Sequence, residues 1–469
     1  MRRKRIRKKT KVRIKLRIPI KISEICSILD IKANRKKDEY VEFISTDSRM
    51  CESGDLFIAI RGERYNGADF CYEAMEKGAY VISEKEENNI FSVNSTRTAL
   101  LKIAALYKSK LKRLRYTIGI TGSVGKSTTK EFLREILSEK YKTHATVGNY
   151  NNHIGVPITI LTAEEDTEIL ILEMGMNSKG EISELSRFVK PDIAIITNIG
   201  TAHIGRLGSR ENIANAKLEI LDGMKIPYKL IVPYGEPLLA IDGTFTSDIN
   251  NRFANLNITP LSQNEKFTSA HLSTQKYDFD FSIGLGGLHV LKDLSYAISA
   301  AILLELSKED IIRGISKISD NNIRQKILNC GKFTIIDDSY NSSLESAISA
   351  IEALPKDSSH IRSALFSDML ELGEYSGLLH FKLGKHAAQN GIKRLYLFGE
   401  YKEFIKKGAI AFGIPASEII TMDNETLEDF ANRVYQRAES GEIILAKASH
   451  ATQMKKVLKM LEERCELNA

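Results

Sequence analysis

Apolar residues recur along this chain in two rhythms, short unbroken runs and a three-to-four spacing, and their alternation is the first guide to its architecture. Between residues 113 and 325 the runs at 116–120, 169–173 and 193–197 read as buried strands. Helical stretches separate them, as at 128–141, where Phe132, Leu133, Ile136 and Leu137 share one face. Such alternation predicts a parallel α/β sheet. From residue 328 the rhythm restarts with runs at 333–336, 363–366, 394–398 and 442–446, the pattern of a smaller doubly wound, Rossmann-like domain. Ahead of both, residues 22–112 carry shorter elements around Ser45-Thr46-Asp47-Ser48-Arg49 and 54–60, then a polar surface loop at 84–94 and a helix at 98–111. The expected fold class is α/β with three domains, 22–112, 113–327 and 328–469, behind an arm at 1–21, and a length of 469 residues agrees with that count.

Composition narrows the class without naming a function. With 43% apolar and 27% charged residues the chain reads as a soluble globular protein. No apolar run approaches ~20 residues, so no membrane span is expected. Five scattered cysteines (Cys26, Cys51, Cys71, Cys330, Cys465) include no C-x-x-C pair, which argues against a disulfide framework or a zinc site and predicts a cytoplasmic location. The net charge of +7 is local: residues 1–21 hold twelve Lys and Arg and no acid, so the remainder carries −5 and gives no reason to expect a nucleic-acid partner. Within the arm, residues 11–18 alternate basic and apolar positions, as an edge strand with one cationic face would. A like-charged run also reads as a disordered extension, or as a start assigned too early, and these are the expectation.

The strongest chemical signal follows the run at 116–120. Thr121-Gly122-Ser123-Val124-Gly125-Lys126-Ser127, leading into Thr128 and a helix, is a phosphate-binding loop between strand and helix. Glycines Gly122 and Gly125 let the backbone approach phosphates, Lys126 reaches the terminal ones, and the Ser127 hydroxyl suits Mg²⁺. The general pattern wants glycine five residues before Gly125; Ile120 stands there, so the loop is shortened. In parallel sheets ligands collect beyond the carboxyl ends of strands, and the run at 169–173 ends there in Glu173, an oxygen ligand of the kind magnesium prefers. His203, just past the run at 193–197, reads either as a loop histidine bonded to backbone or as a less usual ligand. Between them the amide-rich segment 148–157, with Asn149, Asn151, Asn152 and His153, reads as a binding loop or a polar turn.

The ordered segments TGSVGKS, NYNNHIGVP, EMGMNSKGEI, TNIGTAHIGRLGS, IANAKLEI, DDSYNSS and SDMLELGE together resemble the Mur ligases, ATP-dependent amide-bond-forming enzymes of peptidoglycan synthesis. The likeness spans residues 22–460 and is nearest the branch that adds D-alanyl-D-alanine to a UDP-muramoyl tripeptide. It implies that Lys126, Ser127 and Thr128 hold ATP phosphates, that Ser127, Glu173, His203 and Lys217 serve two Mg²⁺ ions, and that Lys217 is carbamylated. Asp338, Tyr340 and Asn341 would meet ATP from the C-terminal domain, and Arg324, ahead of that segment, would contact it too. Asp47, Ser48 and Arg49 would lie near the uridine nucleotide; Asn149, Asn151, Asn152 and His153 would face the peptide; Asp368 and Glu371 would lie near the incoming dipeptide or amino acid. For Asp47 and Asp368 a role as turn or helix cap stays open. The resemblance implies a monomer that takes a carboxylate to an acyl phosphate and then to an amide.

Several positions depart from the family pattern. Its HNxxN segment aligns with Lys292-Asp293-Leu294-Ser295-Tyr296, which loses a histidine and two asparagines and leaves Tyr296 to stack on the base. A KGSR-like segment reads Lys447-Ala448-Ser449-His450, and Ser367 replaces a glycine. These changes keep open a ligase for another amino acid, of the diamino-acid-adding or archaeal pseudomurein kind, or a nucleotide-binding homologue without catalysis.

Overall fold

Each block of alternating runs builds its own sheet in the computed structural model, which describes residues 13–31, 39–62, 65–263, 267–319, 326–355 and 360–467. The first sheet holds β1 (Arg13–Lys21), β2 (Tyr40–Ser45), β3 (Leu56–Ile58), β4 (Tyr80–Ser83) and β5 (Ile90–Ser92) in that order. All neighbours are parallel except β1 with β2. β1 corrects the reading of residues 1–21 as an arm: Arg13 pairs with Ser45 and Lys21 with Tyr40, while Ile14, Leu16 and Ile20 are buried. Two-residue alternation settles the register, since a slip by one would turn these apolar side chains to water. The basic residues between them find partners outside, Arg13 on Asp55 at 2.7 Å and Arg17 on Glu164 at 3.0 Å. Residues 1–12 lie outside the described residues, but a cut after residue 20 would take core side chains with it. β5 likewise corrects the surface loop expected at 84–94, because Ile90 and Phe91 are half-buried and pair with β4.

The central sheet runs β14-β13-β12-β11-β10-β9-β6-β8-β7. Its strands are β6 (Tyr116–Thr121), β7 (Thr143–Ala145), β8 (Ile169–Glu173), β9 (Ile193–Ile196), β10 (Leu230–Pro233), β11 (Phe245–Ile249), β12 (Leu256–Gln263), β13 (Thr268–Thr274) and β14 (Asp278–Ile283). β7 to β12 and β6 are parallel, and β13 and β14 extend the sheet antiparallel. Unbroken apolar runs become strands buried on both faces: every residue of β8 and β9 is buried. β6 sits between β8 and β9, so the chain leaves its carboxyl end at a point where neighbouring connections diverge, the crevice where such sheets take ligands.

The third sheet has the order β15-β16-β20-β17-β18-β19, from β15 (Lys326–Asn329), β16 (Phe333–Asp337), β17 (Ile361–Phe366), β18 (Arg394–Leu397), β19 (Ile419–Thr421) and β20 (Glu442–Lys447). β15 is antiparallel to β16 and the rest are parallel. A boundary at 327/328 therefore falls inside β15. Cys330, in the turn between β15 and β16, forms a disulfide with Cys465 on the helix Met454–Leu467, against the expectation of reduced cysteines. Sequence spacing hid the pair, because 135 residues separate two positions that this sheet and helix bring together. Among the described residues no helix is long and apolar enough to cross a membrane.

Candidate active site

β6 ends at Thr121, and the chain turns through Gly122 and Gly125, at φ 147° and 86°, into the helix Lys126–Leu137. A side chain at either glycine would collide, with the Thr197 hydroxyl in one case and the Asp293 carboxyl in the other. The loop is pinned from behind: the Ser123 and Val124 amides each donate to Asn198 Oδ1 at 2.9 Å, and Gly200 N–H donates to Ser123 Oγ at 2.9 Å. Lys126 Nζ donates back to the Gly122 carbonyl at 2.6 Å, over the concavity where a phosphate would sit.

Parallel pairing sets Glu173 level with Ile120. There the buried carboxylate accepts from Ser127 Oγ at 2.7 Å and, through its other oxygen, from Asn151 Nδ2 at 2.8 Å. Lys217 projects from the helix Arg210–Leu218 into the same cleft; it is 2% exposed and has no hydrogen-bond or ion-pair partner among the described residues. Burial, then the nearby Lys126 charge, pushes its amine well below the usual lysine range. A buried amine without a partner beside a second cation is an unstable arrangement for a structural lysine and a suitable one for an amine that is to be converted into an anion.

The cleft, of about 480 Å³, lies between the central and C-terminal sheets. Gly122, Gly125, Lys126, Ser127, Thr128 and Glu173 line one wall with Lys217, Asn149, Asn151, Asn152 and His203. Asp338, Tyr340 and Asn341 line the other. Asn152 is also structural, since its Oδ1 accepts the Ile154 and Gly155 amides and starts the helix Gly155–Leu161. His203 stands in the left-handed region at φ 65° and pairs through Nδ1 with Glu371 of the C-terminal domain. That histidine, ahead of burial, holds Glu371 below the usual carboxylate range.

Other expected site residues are not brought to this cleft. His153 bonds Glu184 at 3.0 Å, which in turn accepts from Thr98. Asp368 accepts the Glu400 and Tyr401 amides at 3.0 and 2.9 Å and so holds the turn ahead of the helix Lys402–Ala411. In the N-terminal domain Asp47 caps the turn Ser48–Met50 and holds the Arg49 guanidinium through both oxygens, while Ser48 donates to Glu73 at 2.7 Å. Arg324 lies outside the described residues.

Two aligned segments need correction. Tyr296 is fully buried and donates from its hydroxyl to the Thr197 carbonyl at 2.7 Å, so it cannot stack on a base. The cleft is lined instead by His289, Lys292 and Asp293, so a histidine is present three residues before the expected start of that motif. Lys447 joins the site although its segment lacks the glycine and arginine of the family pattern. It is 4% exposed and spans the C-terminal wall, with Nζ at 2.9 Å from Asp338 Oδ2 and 2.9 Å from the Asn341 carbonyl.

Asp293 packs directly behind Gly125. Burial raises its carboxyl to about 8, against the opposing pull of Lys292 and a hydrogen bond with Thr128. It is therefore neutral at pH 7 and does not repel phosphate. Because the folded value lies above the unfolded one, the stability it allows is complete below about pH 4 and is lost as pH rises to about 8. Asp293→Asn removes this dependence. Its stability advantage over the parent should widen by up to ~1.4 kcal/mol per pH unit between pH 5 and 8 and then level off, as read from urea unfolding at pH 5, 6.5 and 8.

A phosphate loop at a sheet crevice, a carboxylate on the adjoining strand and a second domain facing it define a phosphate-loop nucleotide-dependent enzyme. Comparison with known proteins places it further. Three family models match in succession: Mur ligase family, catalytic domain, over residues 40–116; Mur ligase middle domain over 120–301; and Mur ligase, glutamate ligase domain, over 323–465. The UDP-N-acetylmuramoyl-tripeptide–D-alanyl-D-alanine ligase of Bacillus subtilis is 35% identical over 434 residues, covering 90% of this chain and 93% of its own. A crystal structure of MurF from Acinetobacter baumannii superposes with a TM-score of 0.86 at 27% identity, over 96% of this chain and all of that one. MurF ligase from Thermotoga maritima, solved with ADP, gives 0.79 at 28% identity, over 91% and 98%. The chain belongs to the Mur ligase family and is an ATP-dependent, ADP-forming ligase.

Proposed function

We propose that this ligase joins D-alanyl-D-alanine to a UDP-N-acetylmuramoyl tripeptide in the cytoplasm, cleaving ATP to ADP by way of an acyl phosphate. What carries the reading is the cleft itself, which sets Lys126, Ser127, Glu173 and Lys217 of the central domain across from Asp338, Tyr340, Asn341 and Lys447. The dipeptide is the acceptor named for the Bacillus subtilis relative, whose likeness extends through all three domains.

In the first step the peptide carboxylate attacks the γ-phosphorus; an oxygen–phosphorus bond forms and the bond to ADP breaks. The dipeptide amine then attacks the acyl carbon, loses a proton and expels phosphate. Lys126 and the first amides of the helix Lys126–Leu137 offset charge on the transferring group. Between two domains, carboxylate, phosphate and amine gain from proximity.

The residues present fit magnesium. Among the described residues no group of three His, Cys, Asp or Glu could hold a metal unaided. Ser127 and Glu173 supply two oxygens, phosphate would supply more, and carbamylation of the partnerless Lys217 would add a carboxylate-like pair. His203 is placed to help with a second ion once parted from Glu371. Bound there, two Mg²⁺ ions would supply charge neutralisation for phosphoryl transfer.

Phosphate release with the UDP-muramoyl tripeptide tests the assignment, D-alanyl-D-alanine being compared with lysine, diaminopimelate and single alanine. Turnover should require the dipeptide. Vigorous use of another amine with none of the dipeptide would move the chain to a different branch of the family.

A further inference from the structure

We infer that Glu345 is a positioning residue through which the C-terminal domain fixes the shape of the phosphate loop, an inference that rests on the ligase reading above. Glu345 lies in the first turn of the helix Leu344–Ala353, immediately after the wall formed by Asp338, Tyr340 and Asn341, where the helix N-terminus favours a carboxylate. Its own helix is already capped by Ser343. Glu345 instead crosses to the central domain: Oε1 accepts from the Thr201 amide at 2.9 Å and Oε2 from the Thr201 hydroxyl at 3.1 Å.

From Thr201 the connection continues inward without a gap. The preceding Gly200 amide donates to Ser123 Oγ, and Asn198 Oδ1 receives the Ser123 and Val124 amides of the phosphate loop. One short segment, 198–201, therefore holds the loop on one side and the C-terminal domain on the other. Gly200 is the hinge of this arrangement. A Cβ there would stand 2.8 Å from the Glu345 carboxyl carbon and 3.1 Å from Ser123 Cβ, so the missing side chain is what lets both groups close on the same backbone. Other contacts along this edge, the His203–Glu371 pair, Gly205 N–H to the Glu371 carbonyl at 3.1 Å and Tyr375 Oη to the Gly208 carbonyl at 2.8 Å, join the domains without touching the loop.

Glu345 thus acts on ATP through Ser123 and Val124, and it has a steric counterpart in Gly200. Glu345→Ala should lower kcat about tenfold or more while the Kd of a fluorescent ATP analogue changes less than about threefold, because the central domain alone still carries the loop. Glu345→Gln keeps an acceptor for the Thr201 amide and offers a donor to its hydroxyl, and should restore kcat to within about threefold. Gly200→Ala, which wedges Ser123 away from Glu345, should reproduce the Glu345→Ala loss, and the double variant should be no worse than either.

Hydrogen exchange of the Ser123 and Val124 amides gives a reading independent of turnover. It should quicken in Glu345→Ala and Gly200→Ala and return to normal in Glu345→Gln. Unchanged exchange, a glutamine variant as impaired as alanine, or additive losses in the double variant would each overturn the inference. A parent enzyme that turns over no acceptor would instead count against the ligase reading, while the exchange data would still decide the part played by Glu345.

Discussion

Lys126→Ala should leave a folded protein whose kcat is lower by about 10³-fold or more. The lysine belongs to the phosphate loop itself, and its ammonium bonds the Gly122 and Ser123 carbonyls at 2.6 and 3.4 Å. Those bonds are the kind a bound triphosphate replaces, since a terminal phosphate attracts the ammonium far more strongly than a neutral carbonyl does. Removing the side chain costs folding little, because Lys126 is only partly buried and the loop keeps its anchors on Asn198 and Ser123. Removing it during phosphoryl transfer leaves developing charge uncompensated. Single-turnover phosphate release, set beside a melting curve, separates the two effects. An unaltered melt with activity within tenfold of the parent would mean that Lys126 does not meet the transferring group.

How much of this was legible in the sequence follows from which interactions are local. Runs of isoleucine and leucine gave β8 and β9 almost to the residue, since a strand buried on both faces has no alternative use for such a run. The phosphate loop was legible for a related reason, as glycines at fixed offsets between strand and helix have few other purposes. β1 was hard to see because twelve basic residues dominate 1–21, whereas in the fold the burial of Ile14, Leu16 and Ile20 decides where the strand lies. Arg17 costs little at the surface opposite Glu164, and Arg13, half-buried, is paired with the buried Asp55. Long-range pairings were beyond reach. Nothing near Cys330 announces Cys465, and nothing near Asp293 announces that it will back Gly125. Asp368 shows the converse, a residue picked out by motif likeness whose carboxylate is taken up by two backbone amides.

Lys217→Met should lower kcat by about 10²-fold or more while leaving stability equal to the parent or higher, and that opposition of signs marks Lys217 as a working residue. Methionine approximates the volume of the aliphatic stem, so no large cavity opens, and it removes an amine that is buried without a partner. A lysine kept for packing or for an ion pair would lose stability on this change. One kept for chemistry gives up an energetic burden together with its function. Burial, then the neighbouring Lys126 charge, supplies the reason: both push the amine toward its uncharged form, the form that takes up CO₂ as a carbamate, whose negative charge Lys126 would then stabilise. The parent enzyme should therefore lose turnover reversibly in CO₂-depleted buffer and regain it with bicarbonate, while the methionine variant responds to neither. Full activity in Lys217→Met, or a parent indifferent to bicarbonate with no carbamate signal in ¹³CO₂ NMR, would remove Lys217 from the chemistry and leave its burial beside Lys126 without a purpose.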